Sequence, residues 1–313
     1  MADLSNTSIL VLGAGGLGCE ILKNLSMAGI PKIHVVDMDT IELTNLNRQF
    51  LFHEKDIGRP KAIVAANYIN ARNFPSLNNG SCVEVTPYFR DLTTFDVAFL
   101  SQFTMVVSGL DSIEARRFIN GQLINVTLQS GFEKCIPLID GGSEGFKGHC
   151  KTIIPGFTAC YECSIGTLPT RVQTYPLCTV ANNPRLPEHV VEYIVSVKWP
   201  EEFPARQYDY DSYKDIDWIK QQCLLRAREF GIDGSALTTR FILGVMKNII
   251  PSVASTNAII AGQCCNEAIK LLYDIYQFDE SPNFMIYNGD EGCFSYSFTH
   301  ERLPDCPVCG VLS

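Results

Sequence analysis

Short apolar runs and amphipathic segments alternate through the first half of the chain. Ser8–Leu12 (SILVL) is apolar after its first residue and ends in glycines, the pattern of a strand buried on both faces of a parallel sheet. Leu17–Ala28 places its apolar residues at helical spacing, and Lys32–Val36 (KIHVV) reads as a second strand. A helix opens at Pro60 (PKAIVAANYINAR), where the missing N–H costs nothing. Cys82–Pro87 and Phe103–Val107 predict a third and a fourth strand, Ser112–Val126 a helix, and Ile136–Ile139 a further buried strand. Strand and helix in this order predict an α/β fold with a doubly wound, mostly parallel sheet.

The rhythm breaks after about residue 165. Ile165–Asn183 contains Pro169 and Pro176, shows no period and predicts a loop. Pro184–Trp199 predicts a helix, Glu201–Asp217 is acidic and tyrosine-rich, and two more helical segments reach to about Asn248. Strand-like runs return at Asn283–Tyr287 and Cys293–Phe298. The expected organisation is a sheet domain in two parts, 1–167 and 246–313, around a small, mainly helical insertion at 168–245. The most apolar long stretch, Ile249–Tyr276, is interrupted by Ser252, Ser255, Asn257, Glu267 and Lys270, so it predicts a buried amphipathic helix and no membrane association.

Composition narrows the picture. The 313 residues include 25 Lys+Arg against 34 Asp+Glu, a net charge of −9, so no basic face for a nucleic-acid partner is expected. Charged residues make up only 19% of the chain, which points to a large core or a subunit interface. The 13 cysteines are odd in number and exclude a fully paired disulfide framework. Met1–Ser8 has neither the basic region nor the apolar run of a secretory signal. A reducing compartment follows, cytoplasm or nucleus or both, where cysteines are thiols or metal ligands.

Gly13-Ala-Gly15-Gly16-Leu-Gly18 joins the first strand to the first helix. Glycines allow a tight turn close to a phosphate, and the helix start offers unpaired N–H groups. Asp37, at the end of the second strand, is placed to accept from ribose hydroxyls. The polar run Asp37-Met-Asp39-Thr-Ile-Glu-Leu-Thr-Asn45-Leu-Asn47-Arg48-Gln49 follows, then Gly58-Arg59-Pro60-Lys61. Arg48 and Lys61 bring fixed positive charge suited to a polyphosphate. Ser108-Gly-Leu-Asp111 ends the fourth strand at the carboxyl edge, where a carboxylate suits Mg²⁺ held together with phosphate oxygens. ATP with Mg²⁺ explains all of these. A nicotinamide-dependent oxidoreductase shares the glycines and Asp37 but leaves Arg48 and Lys61 without a role.

Cys160-Tyr-Glu-Cys163 and Cys306-Pro-Val-Cys309 form two C-x-x-C pairs, the ligand set of a closed, tetrahedral structural Zn²⁺ site. Neither opens a helix in a thioredoxin-like unit, which speaks against redox chemistry. Cys178 stands between Pro176 and Pro184, with Arg185 and His189 close in sequence. Its residue context alone leaves a nucleophile and a buried small hydrophobe both open. The remaining eight, Cys19, Cys82, Cys135, Cys150, Cys223, Cys264, Cys265 and Cys293, read as core.

Three motifs, Gly-x-Gly-Gly-x-Gly from Gly13, Asp-x-Asp-x-Ile-x-x-x-Asn-Leu-Asn-Arg-Gln-Phe-Leu-Phe from Asp37, and Gly-x-Pro-Lys ending at Lys61, resemble the Rossmann-like adenylation domain of ubiquitin-like-protein activating enzymes and their bacterial sulfur-carrier relatives. The likeness extends over almost the whole chain. It implies ribose binding by Asp37, with Asp39 and Gln49 in the same nucleotide-binding run. It further implies phosphate contacts from Asn45, Arg48 and Lys61, and Mg²⁺ binding by Asp111. The segment around Cys178, Pro-x-Cys-Thr followed by Pro and Glu-His, is similar to the family's active-site loop, in which the cysteine takes the modifier as a thioester and passes it to a conjugating enzyme. The resemblance also supports the zinc site. It implies an obligate heterodimer with an inactive adenylation-domain homologue, since this length holds only one adenylation half. A hinge is expected over Ile165–Pro176, and the ubiquitin-fold domain carried by many relatives is expected to be absent beyond Cys309. The segment from Cys178 to Tyr193 is most similar to neddylation-type (Rub-type) members, with sumoylation-type members second.

Overall fold

In the computed structural model, which describes residues 4, 6–77, 80–167, 177–210, 212–246, 252–277 and 280–310, the first strand β1 (Ser8–Leu12) is covered on both sides. Ile9 and Val11 enter one hydrophobic core and Leu10 and Leu12 another. That two-sided burial is why the strand reads as continuously apolar.

The glycine turn leads from β1 into α1 (Gly16–Met27), then β2 (Lys32–Val36), α2 (Lys61–Asn70), β3 (Glu84–Tyr88), α3 (Val97–Leu100), β4 (Met105–Ser108), α4 (Ile113–Gln129), β5 (Leu138–Glu144) and β6 (Lys147–Ile153). After an inserted segment come α10 (Ala254–Leu272), β7 (Phe284–Asn288) and β8 (Phe294–Phe298). The eight strands form one sheet in the order β3-β2-β1-β4-β5-β6-β7-β8. The first five run parallel, and β5 to β8 pair antiparallel along one side. Residues of α1, α2 and α10 cover one face, and residues of α3 and α4 with Cys160 and Cys306 cover the other.

The chain divides into two units, Met1–Leu168 with Ser252–Ser313, and Pro169–Pro251. The second contains α5 (Leu177–Asn182), α6 (Pro187–Tyr193), α7 (Trp199–Glu202), α8 (Tyr213–Glu229) and α9 (Thr239–Met246) around its own core of Val190, Ile194, Trp199, Ile219 and Ile242.

Several segments differ from the sequence expectation. β6 was not expected, because a strand with lysines at both its start and its fifth position looks exposed. Lys151 is nevertheless buried, its ammonium donating to the Cys160 carbonyl at 2.8 Å and to the Ser164 hydroxyl. The expected loop at 165–183 contains structure at both ends, a 3₁₀ turn over Glu162–Thr167 and the helix α5. The middle of it, and with it most of the expected hinge, lies outside the described residues. The single helix expected over 184–199 starts at Pro187 and passes through a π-type turn at Ile194–Lys198 before α7. Of the cysteines read as core, Cys82 and Cys293 are exposed and Cys135 is half-buried. The interrupted apolar stretch forms α10, and no described helix is long and apolar enough to cross a membrane.

Candidate active site

The turn between β1 and α1 is shaped by what its glycines exclude. Gly13 has φ +91°, and a Cβ there would lie 3.0 Å from Gly109 O, so the turns after β1 and β4 are in close contact. A Cβ on Gly18 would lie 2.0 Å from Gly13 O, whereas one on Gly15 meets nothing within 4 Å. Gly18→Ala is therefore expected to destabilise the protein by about 2–4 kcal/mol and Gly15→Ala by less than about 0.5, measured by denaturant unfolding. Gly16 is hemmed in by Asn257, whose Nδ2 would be 2.4 Å from its Cβ. The first turn of α1 holds no acidic residue, leaving its N–H groups and positive dipole end available to an anion.

Asp37 is wired to this turn. One carboxylate oxygen accepts from Ala14 N at 2.7 Å and the other from Asp39 N at 2.8 Å. Each oxygen keeps a lone-pair direction for a further donor, such as a sugar hydroxyl. Burial pushes the Asp37 carboxyl above its usual range, against the pull of those two amides and of Lys61. Lys61, buried at the start of α2, pairs with Asp39 at 2.8 Å. Arg48 sits beside the glycine turn, its Cγ 3.5 Å from a Gly16 Cβ, and donates to Thr44 O and Asn47 Oδ1, both at 3.0 Å. Asn45 turns its amide oxygen back to Glu42 N at 3.0 Å. Gln49 is buried, and its amide oxygen has no donor among the described residues. Asp111 is exposed just before α4, which is capped by Ser112 accepting from Ala115 N at 3.1 Å. The structure thus brings the glycine turn, Asp37, Asp39, Arg48 and Lys61 together, with Asp111 two residues beyond Gly109.

Cys160, Cys163, Cys306 and Cys309 also converge, their sulfurs all within 4.8 Å of one another. The Cys160–Cys163, Cys160–Cys306 and Cys163–Cys309 sulfur separations are 3.7, 3.7 and 3.3 Å. A tetrahedron with Zn–S bonds of about 2.3 Å has edges of about 3.8 Å, so the spacing fits zinc. Two amides point at the sulfurs, Leu303 N at Cys163 and Cys309 N at Cys306, each at 3.5 Å. Burial opposes ionisation of Cys306, but the Cys309 and Val308 amides and the neighbouring thiols outweigh it and bring the thiol down to about 7.

Cys178 is the second residue of α5; its side chain lies outside the described part of the structure. The far end of that helix is held by Arg226 of α8, which donates to Ala181 O at 2.7 Å and Val180 O at 3.0 Å and stacks on Tyr193 and Phe230. His189 is buried, with Nδ1 at 3.2 Å from Arg185 N.

The sequence reading did not single out Asn257. It is buried in α10, accepting from the Ser143 hydroxyl at 2.5 Å and donating to Ser252 Oγ at 3.1 Å. The available signal was the group of small polar residues Ser252, Ser255, Thr256 and Asn257 around the start of an otherwise apolar helix.

The ThiF family model matches residues 1–308. A NEDD8-activating enzyme E1 catalytic subunit from Saccharomyces cerevisiae is 55% identical over 302 residues, which is 96% of this chain and 97% of that protein. Counterparts from Schizosaccharomyces pombe (44%, covering 98% of this chain and 71% of that one) and Drosophila melanogaster (47%, covering 96% and 66%) carry the same designation. Among solved structures, Escherichia coli MccB with ATP aligns at TM-score 0.58 and 21% identity over 98% of this chain and 67% of its own, a likeness of fold. These relatives favour the neddylation-type expectation over the sumoylation-type one. The chain belongs to the ThiF family, among the catalytic subunits of NEDD8-type modifier-activating enzymes.

Proposed function

We propose that this chain uses ATP to activate the C-terminal glycine of a NEDD8-class ubiquitin-like modifier and then holds that modifier as a thioester on Cys178. One observation carries the reading: a glycine turn open at Gly15, a carboxylate with free lone pairs and two cations meet at the carboxyl edge of the parallel strands, in a chain of this family. In the first step the modifier's carboxylate oxygen attacks the α-phosphorus and the bond to pyrophosphate breaks. The N–H groups of α1, with Asn45, Arg48 and Lys61, hold the phosphates and stabilise the charge on the leaving group. Asp37 orients the ribose, with Asp39 fixing Lys61 and Gln49 lining the same pocket. The donor set at Asp111, one exposed carboxylate beside the phosphate cradle of Gly13 and Gly109, fits Mg²⁺, which neutralises phosphate charge when bound.

In the second step the Cys178 thiolate attacks the acyl carbon of the adenylate, the bond to the phosphate oxygen breaks, and AMP leaves. A thiol of a conjugating enzyme takes the acyl group next. The four-cysteine cluster fits a structural Zn²⁺ that ties residues 306–309 to the sheet domain. An adenylation-domain homologue completes the enzyme as a heterodimer, in keeping with the designation of the relatives as catalytic subunits.

Lys61→Ala is expected to lower kcat/KM for ATP–pyrophosphate exchange by about two to three orders of magnitude, the usual cost of removing a preorganised charge donor. The function itself is tested by assembling the chain with its partner subunit and assaying exchange with NEDD8-, SUMO- and ubiquitin-class modifiers. Exchange stimulated most by the NEDD8 class is expected; stimulation by the SUMO class instead overturns the assignment of modifier.

A further inference from the structure

A buried carboxylate lies beneath the edge that carries Asp111, and the reaction just described does not use it. Asp140 of β5 is 1% exposed, and its oxygens face Arg116 Nε at 3.3 Å and His149 Nε2 at 3.5 Å. Strand pairing places it beside Ser108, the last residue of β4. Arg116, in the first turn of α4, does more than neutralise this charge. Its Nη2 donates to Leu110 O at 2.6 Å and to Gly141 O at 3.0 Å. One guanidinium therefore clamps the turn between β4 and α4 to the backbone of β5, at the residue that precedes Asp111.

The strand is cut to fit this clamp. A Cβ on Gly142 would lie 2.3 Å from His149 Cε1 and 2.9 Å from Arg116 Nη2, and one on Gly141 would lie 2.8 Å from Cys264 Sγ. The Arg116 side chain is 11% exposed, with Nη2 committed to two carbonyls and Nε turned toward the Asp140 carboxylate as an ion pair, an arrangement that holds the guanidinium against β5. Burial works against the guanidinium charge, but Asp140 first, then Tyr161 and Asp111, more than restore it. Burying an ion pair gives little net stability, whereas a planar guanidinium hydrogen-bonded to two carbonyls and ion-paired to a carboxylate is held in a single orientation.

We propose that Arg116 and Asp140 are positioning residues for the nucleotide-bound divalent cation: Asp140 fixes the guanidinium, the guanidinium fixes the Leu110 carbonyl, and Asp111 is thereby presented to the metal in one place. This rests on the reading of Asp111 as the magnesium carboxylate. Loosening the turn weakens metal binding without removing any group that touches the nucleotide.

The test uses the assembled enzyme with Arg116→Lys, Asp140→Asn and Asp111→Asn. Arg116→Lys keeps a cation beside Asp140 but lacks the fork that spans both carbonyls, so it isolates positioning from charge. Mn²⁺ binding in the presence of a non-hydrolysable ATP analogue, read by electron paramagnetic resonance, is expected to weaken about tenfold in Arg116→Lys and at least as much in Asp140→Asn. The free Mg²⁺ giving half-maximal pyrophosphate exchange rises in parallel, and excess Mg²⁺ recovers the rate. Parental Mn²⁺ affinity in Arg116→Lys, with only a lower melting temperature, overturns the proposal. If Asp140→Asn does not fold, Arg116→Lys decides. Should Asp111→Asn bind Mn²⁺ normally, the metal role of Asp111 fails and the proposal falls with it. Should Asp111→Asn lose Mn²⁺ while the other two keep it, the proposal alone fails.

Discussion

A Cys178→Ala enzyme, assembled with its partner subunit, is expected to exchange pyrophosphate with ATP within about threefold of the parental rate while forming no thiol-labile adduct. The two steps use different parts of the chain. The glycine turn, Asp37, Arg48, Lys61 and Asp111 all belong to the unit formed by Met1–Leu168 and Ser252–Ser313, whereas Cys178 belongs to Pro169–Pro251. Adenylation breaks the bond between the α- and β-phosphates before any thiol is needed, so removing the thiol leaves the reversible first step in place. No other side chain in the reaction offers a nucleophile of comparable strength, and the adduct is lost entirely rather than slowed. A reduced but measurable adduct in this variant, located on a different cysteine, means that the nucleophile has been misassigned. Loss of exchange together with the adduct instead means that Cys178 serves the fold of its unit.

The second large effect falls on stability. Cys306→Ser removes one of four convergent thiols, and it is expected to cost about 2–5 kcal/mol, the range for removing a native crosslink from a folded domain. For a unit of this size that is a fall of about 10 °C in melting temperature. Prolonged chelation of the parental enzyme should give a similar fall, reversed by Zn²⁺ and not by Mg²⁺. The cost is high because the cluster is largely buried. Cys306 and Cys309 lie in the same core as Leu123, Ile136 and Leu138, and Lys151 sets a buried ammonium against the Cys160 carbonyl. A chelated enzyme that melts at the parental temperature, with no zinc detected by elemental analysis before chelation, contradicts the zinc assignment.

The parallel half of the sheet was legible because most of its strands are short apolar runs bounded by turn residues, β3 (EVTPY) being the exception, and the glycine turn and Asp37 follow β1 and β2 at fixed offsets. The antiparallel side was less so. β6 begins with a lysine, carries a histidine in the middle and buries a second lysine, so it has neither the continuous apolar character of a core strand nor clean alternation. The candidate nucleotide residues were read from their order along the chain, and Lys61, Asp39 and Asp37 are linked in space as they are in sequence. Arg116, Asp140 and Asn257 were not found. Arg116 reaches the Gly141 carbonyl 25 positions away, Asn257 meets Ser143 114 positions away, and Asp140 is paired with an arginine of the preceding helix, so none of these contacts shows in a local pattern. The clue for Asp140 was a charge directly after the apolar run Ile136–Ile139, followed by two glycines, the second of which leaves room for Arg116 and His149. The limits of α5 escaped for a different reason. Prolines on both sides of a six-residue helix hide any helical period.

The covalent intermediate on Cys178 gives the most direct test of the proposed reaction. The assembled enzyme is incubated with MgATP and a NEDD8-class modifier and quenched in acid without reductant, and the intact chain is weighed by mass spectrometry and mapped by peptides. The expected result is one modifier added with loss of one water, on the peptide containing Cys178, and removed by dithiothreitol. An unmodified chain, or a modifier attached to another residue or through a bond that survives dithiothreitol, contradicts it.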